Sequence, residues 1–262
     1  MNRQKVKNIL MPWLTALGMF VFWEVCCIVF SVPESVLPSP SASIRAMIEF
    51  WPAIFAASVQ TLYTTLAGFA IAVVVGTLLG VMVGASPAVY RATNPLLIGF
   101  NSIPKVAVVP VLVMWFGIGT VPAIITAFLT AFFPIVVNIA MGIATVEPEL
   151  VDVLRSLGAK RSAVLRKVGL PRSLPYLFAS LKIAITLAFV GSVVSEMVAS
   201  NGGVGYLLLT ASSSFRVPLV FAALLVVGAL GIIMYFIADI IEKRFTGWAT
   251  RGGQAEGNLT QY

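Results

Sequence analysis

Residues Thr145 to Arg172 read TVEPELVDVLRSLGAKRSAVLRKVGLPR, and this stretch decides how the rest of the chain is understood. It is too polar to cross a lipid bilayer. Yet Val151, Leu154, Leu157, Val164, Leu165 and Val168 recur at mostly helical spacing. Gly158 interrupts that run, and Leu170-Pro171 closes it. The expectation is two short amphipathic helices joined at Gly158, with one face seated on something apolar and the other presenting mixed charge. The competing expectation is a solvated connector, which has no need of apolar periodicity.

Outward from this stretch the chain is strongly apolar. Its 262 residues are 59% hydrophobic and 10% charged, with a mean hydropathy of +1.00. An ordinary soluble domain holds about 45–50% apolar and about 25% charged residues. One globular core cannot hide such a composition, so lipid must solvate much of it. A membrane helix needs roughly 20 apolar residues, which leaves room for about six spans. They are expected near residues 9–32, 61–84, 95–118, 121–144, 174–198 and 218–241. The basic start followed by an apolar run imitates a signal peptide, but the run is long and no small-x-small site follows it. A retained first span is expected.

Between the spans, Pro33 to Pro40 breaks any helix, and Ser41 to Phe55 is expected as an interfacial helix with Trp51 at headgroup depth. Ala85 to Asn94 is expected as a short loop. Pro104 and Pro110 should bend or partly unwind the third span. Gly76-x-x-x-Gly80 permits close helix approach. The organisation expected is residues 1–8 as a cytoplasmic N-terminus, 9–245 as a transmembrane domain and 246–262 as a mobile tail.

Charge orients the bundle. With six spans both termini share a side, and that side collects 13 of the 17 Lys and Arg residues, six of them within 145–172. The opposite side holds only Arg45 and Arg216. The positive-inside rule therefore predicts an all-α membrane protein with both termini and the 145–172 loop in the cytoplasm.

Several chemistries are excluded. There is no His, which removes the commonest metal ligand and general base. Cys26 and Cys27 are adjacent within an apolar run and make a poor metal site, so none is expected. No basic stretch interleaved with aromatics marks a nucleic-acid surface. No Gly-x4-Gly-Lys-Ser/Thr segment exists, so this chain does not bind nucleotide in the P-loop manner.

Ionisable groups inside a membrane segment are costly and point to function or to a partner. Glu24 is expected to pair with another span or to cap a structural network, and Lys182 to snorkel to the cytoplasmic interface. Lys105 and Glu196 are candidates to line a pathway or to pair with each other. Asn101, Asn138, Ser192 and Ser195 are softer pathway candidates.

The 145–172 segment resembles the signature loop of binding-protein-dependent ABC importer permeases. There, Glu-Ala-Ala is followed by three residues, Gly, nine residues and Ile-x-Leu-Pro. Here Asp152-Val153-Leu154 takes the first place, Gly158 follows after three residues, and nine more lead to Val168-Gly169-Leu170-Pro171. Asp stands for Glu, Val and Leu stand for the alanines, and Val stands for Ile. The resemblance covers roughly residues 10–245 and is nearest to the nitrate, sulfonate and taurine group. Ile103-Pro104-Lys105, Trp115-Phe116-Gly117-Ile118-Gly119 and Ser195-Glu196-Met197 support it.

That resemblance implies a type I permease fold of six transmembrane helices with a cytoplasmic coupling helix, in a bacterial inner membrane. It implies two copies of an ABC ATPase, a second permease subunit forming a homodimer, and a periplasmic or lipid-anchored substrate-binding protein. ATP and Mg would sit on the ATPase, with no cofactor on this chain. Asp152, Leu157, Gly158, Ala159, Lys160, Leu170 and Pro171 would carry the coupling. Asn201, Gly202, Gly203 and Gly205 would form the outer gate. A small anion is the expected solute. A pyrimidine, another vitamin precursor or an aromatic acid is the alternative. An ion-coupled secondary transporter is the competing class, and it would call for an inverted repeat and mid-membrane carboxylates.

Overall fold

The computed structural model describes residues 3–246, and every regular element among them is helical. Three helices form the centre: α3 (Trp51–Gly84), α6 (Thr120–Ala144) and α9 (Leu170–Ala199). Before α3 come α1 (Arg3–Val29) and α2 (Pro40–Glu49). Between α3 and α6 lie α4 (Pro87–Ser102) and α5 (Lys105–Phe116). Between α6 and α9 lie α7 (Pro148–Ser156) and the single turn α8 (Arg161–Val164). The described residues end in α10 (Val204–Ser213) and α11 (Val217–Thr246).

Small side chains let α3 and α6 approach. Gly68, Ala72, Gly76, Gly80 and Gly84 repeat every four residues and are all buried. A Cβ on Gly76 would meet Ile135 Cγ2 at 2.9 Å, and one on Gly80 would meet Ile139 Cβ at 2.8 Å. The Gly76-x-x-x-Gly80 motif is therefore spent within the chain, where dispersion replaces the hydrophobic effect as the cohesive term. Ala127, Ala131, Ile135 and Ile139 of α6, with Ala184 and Ala188 of α9, complete this core.

Helices α3, α6, α11 and the continuous helix Ser162–Ala199 are each long and apolar enough to cross a membrane. The pair α4–α5 makes a fifth span if counted as one, but it bends by 82°. The apolar part of α1, Trp13–Val29, is shorter.

The break in the third span falls at Ile103-Pro104, whereas Pro110 sits inside α5 without interrupting it. Residues 87–94, expected as a loop, form the first turns of α4, because Pro87 at its start suits a helix N-terminus. The interfacial helix stops at Glu49. Residues 51–55 instead open α3, with Pro52 in the first turn. The second loop helix does not end at Leu170-Pro171. It passes through a π turn, Leu165–Gly169, in which the Leu170 N–H reaches the Leu165 carbonyl, and continues as α9. Residue 246, expected to open the tail, is the last of α11, and residues 247–262, like residues 1–2, lie outside the described residues.

Candidate functional site

The loop reverses direction at Gly158. Its φ of +81° suits glycine, since a Cβ there crowds the following carbonyl. The Ala159 N–H donates to the Leu154 carbonyl and the Gly158 N–H to that of Arg155, both at 2.9 Å. These are the two bonds of a Schellman motif, which satisfies the last carbonyls of α7. Glu149 in its first turn and Arg155 in its last complement the helix dipole. Arg172 pairs with Glu147 at 3.0 Å, tying the start of α7 to α9.

Among the described residues, one face of α7 is unpartnered. Leu150, Val153 and Leu157 share a stripe, and Leu157 is 77% exposed. Asp152 and Lys160 flank it in solvent, while Ala159 is half-buried. Leu170 and Pro171, also half-buried, lie beyond the π turn and not at the tip. The structure thus gathers Asp152, Leu157, Gly158, Ala159 and Lys160 at one corner, with Leu170 and Pro171 at the root of the emerging helix.

That helix is one rod. Ser162–Ala199 is 38 residues, or about 57 Å at 1.5 Å per residue, against roughly 30 Å of hydrocarbon. Part-way along it, Lys182 pairs with Asp239 at 3.3 Å and with Glu242, both on α11, and Lys243 holds Asp239 at 2.6 Å. Lys182 thereby bolts α9 to α11. The side chains are only 17–21% exposed, apart from Lys243. Lys182→Met leaves the Glu242 carboxylate without its partner, while Asp239 keeps Lys243, and is expected to destabilise the protein by about 2 kcal/mol. Thermal unfolding of the detergent-solubilised protein checks this, and an unchanged midpoint contradicts it.

At the far end of the rod, Glu196 is fully buried. Its carboxyl accepts from Thr61 Oγ1 at 2.7 Å, Thr64 Oγ1 at 2.9 Å and the Gly205 N–H at 3.3 Å. Thr61 Oγ1 also accepts from the Val204 N–H at 2.8 Å. Gly203 (φ +90°) packs against the same carboxyl group, where a Cβ has no room. Gly202 lies against Gln60, and Asn201 is exposed. The Ala199 carbonyl accepts from the Gly119 N–H at 3.1 Å, so the turn between α5 and α6 meets the same helix end.

Lys105 and Glu196 are not paired. The Lys105 ammonium donates to the carbonyls of Phe100, Asn101 and Ile103, each at 2.9 Å. It caps the end of α4 that the bend leaves open. All three of its donors are used. Lys105 and Asn101 line a pocket walled by Phe100, Phe128, Phe132 and Phe133. Asn138 donates to the Pro134 carbonyl of its own helix at 2.8 Å. Ser192 and Ser195 are buried on α9, and neither hydroxyl has a hydrogen-bond partner among the described residues. Glu24 accepts from the Ser41 N–H at 3.0 Å and from its hydroxyl at 2.8 Å, which caps α2.

The family model described as "Binding-protein-dependent transport system inner membrane component" matches residues 72–247. The chain belongs to that family. This permease is 31% identical over 240 residues to the riboflavin transport system permease protein RibX of Chloroflexus aurantiacus, covering 90% of this chain and 88% of RibX. It is 29% identical over 264 residues to the bicarbonate transport system permease protein CmpB of Synechococcus elongatus, covering 95% and 91%. Its fold resembles a chain of the inward-facing MetNI methionine ABC transporter, with a TM-score of 0.60 and 22% identity over 76% of this chain and 97% of that one. The protein is thus a multi-pass transmembrane permease subunit of an ABC importer and not an enzyme. Membership implies a binding protein and an ATPase as working partners.

Sequence reasoning missed Thr61 and Thr64 as partners of Glu196, and Asp239 and Glu242 as partners of Lys182. A local signal was the cluster Thr61, Thr64 and Thr65 within a largely apolar helix.

Proposed function

We propose that the permease crosses the bacterial inner membrane six times, through α1, α3, the bent α4–α5 pair, α6, α9 and α11, with both termini in the cytoplasm. Two copies form the pore, and each presents α7 to one of two ATPase subunits, which hold ATP and Mg. The observation that carries this reading is the apolar stripe Leu150, Val153 and Leu157, standing exposed on a polar loop beyond the glycine turn. A solvated connector has no use for such a stripe. A docked one buries it, and Asp152, Gly158, Ala159 and Lys160 shape its tip. Closure of the ATPases would then tilt α6 and α9, which leave the two ends of the loop. The Asn201–Gly205 turn, at the other end of α9, faces the binding protein.

Of the pathway candidates, Asn101 and Lys105 line an open pocket, whereas Asn138, Ser192, Ser195 and Glu196 are engaged or buried within the chain. Lys105, the cation that would favour a small anion, spends its donors on carbonyls. The phenylalanine walls of its pocket favour the second reading, an organic solute with flat apolar surface such as a vitamin precursor or aromatic acid.

The test is uptake in proteoliposomes carrying the ATPase and the binding protein. ATP-dependent uptake of an aromatic solute that survives an ionophore supports the reading. Uptake of bicarbonate or a sulfonate alone overturns the solute class, and uptake abolished by the ionophore overturns the mechanism.

A further inference from the structure

We infer that Glu196 is a positioning residue: it latches the Gly203–Gly205 turn and α10 to α3 and α9, so that tilt imposed at the loop end of α9 reaches the outer turn. The inference rests on the coupling reading above.

The geometry is that of a latch. One carboxyl group joins three helices: its own α9, α3 through Thr61 and Thr64, and α10 through the Gly205 N–H. Thr61 adds a second link to α10 through the Val204 N–H. Gly203 lets the backbone close onto the carboxyl group and Gly205 onto the α9 backbone at Val193 and Met197, and a side chain at either would push them apart. Glu196 has no exposed surface in the chain, so it acts through its neighbours and not on a passing solute. Its helix runs unbroken from the coupling corner, so both ends of the transmission lie on one rod.

The latch does not need a charge. Thr64 Oγ1 lies within bonding distance of the Thr61 carbonyl, at 3.0 Å, as well as of Glu196. In Glu196→Gln the amide oxygen accepts from Thr61 and Gly205. The amide nitrogen donates to Thr64, whose own proton turns to the Thr61 carbonyl. Every bond of the network is kept. In Glu196→Leu all three bonds to position 196 are lost, and only the Val204–Thr61 bond remains.

The experiment compares Glu196→Gln and Glu196→Leu in the complete transporter in proteoliposomes. It reads uptake, ATP hydrolysis and the distance between spin labels at Tyr63 on α3 and Tyr206 on α10, with and without ATP. The Gln variant should match the parent in all three. The Leu variant should lose about tenfold or more in uptake while hydrolysis continues, and its inter-label distances should broaden. If Glu196→Leu does not assemble, the isosteric Thr61→Val, which removes the bridging hydroxyl, is scored in its place. Loss of uptake in the Gln variant, or parental uptake in the Leu variant, overturns the latch. Failure of the coupling reading itself shows differently, as hydrolysis and label distances in the parent protein that are indifferent to the α7 loop.

Discussion

Replacing Leu157 with Asp abolishes ATP-driven uptake while the helical bundle unfolds at its usual temperature. Leu157 is 77% exposed and touches little of its own chain, so the fold has almost nothing to lose. The cost falls on assembly. Burying a leucine contributes about 1.5–3 kcal/mol, and an unpaired carboxylate in the same place opposes docking by more. A loss of about 3 kcal/mol is roughly a hundredfold in affinity. The check is co-purification of the ATPase with the variant, beside a thermal scan of the permease alone. Full co-purification, or a collapsed thermal midpoint, contradicts the prediction.

The second large effect is on the fold. Gly68→Leu places a Cβ 2.5 Å from the Ile124 carbonyl oxygen and 2.6 Å from Ala127 Cβ, with the Phe128 nitrogen at 2.9 Å. Two of these three atoms are backbone, so no rotamer change relieves the clash, and α3 must part from α6. Overpacking of this kind costs about 3 kcal/mol or more. It should appear as aggregation or a sharply lowered midpoint on extraction into detergent. Gly228→Leu is the control. Nothing lies within 4 Å of a Cβ there, and the exchange leaves stability unchanged or slightly raised. Equal behaviour of the two variants contradicts the packing account.

What was legible in the sequence was local. The periodicity of 145–172 and the glycine at its centre announced helix α7 and its reversal, because a Schellman turn is written in a few consecutive residues. Spans four to six were legible as apolar runs. The hinge at Phe50 was not, since one helix was expected to run from Ser41 to Phe55, whereas Pro52 starts a new one. Leu170-Pro171 misled in the opposite direction: a helix end was expected there, and a π turn upstream lets the helix run through it.

The pairings were the least legible. Glu196 lies 135 residues from Thr61 and Lys182 lies 57 from Asp239, and no local pattern ties such positions together. An ionisable residue in an apolar run announces only that it needs a partner. Whether that partner is a solute, a carbonyl as for Lys105, or a pair of threonines as for Glu196 depends on packing that the sequence leaves implicit.

The central claim is that α7 is the permease's cytoplasmic contact with its motor. A single cysteine at position 157, in a chain carrying Cys26→Ser and Cys27→Ser, tests it with a membrane-impermeant thiol reagent. The account predicts labelling only from the cytoplasmic face, and protection once the ATPase is bound. Labelling from the outer face, or labelling indifferent to the ATPase, would contradict it.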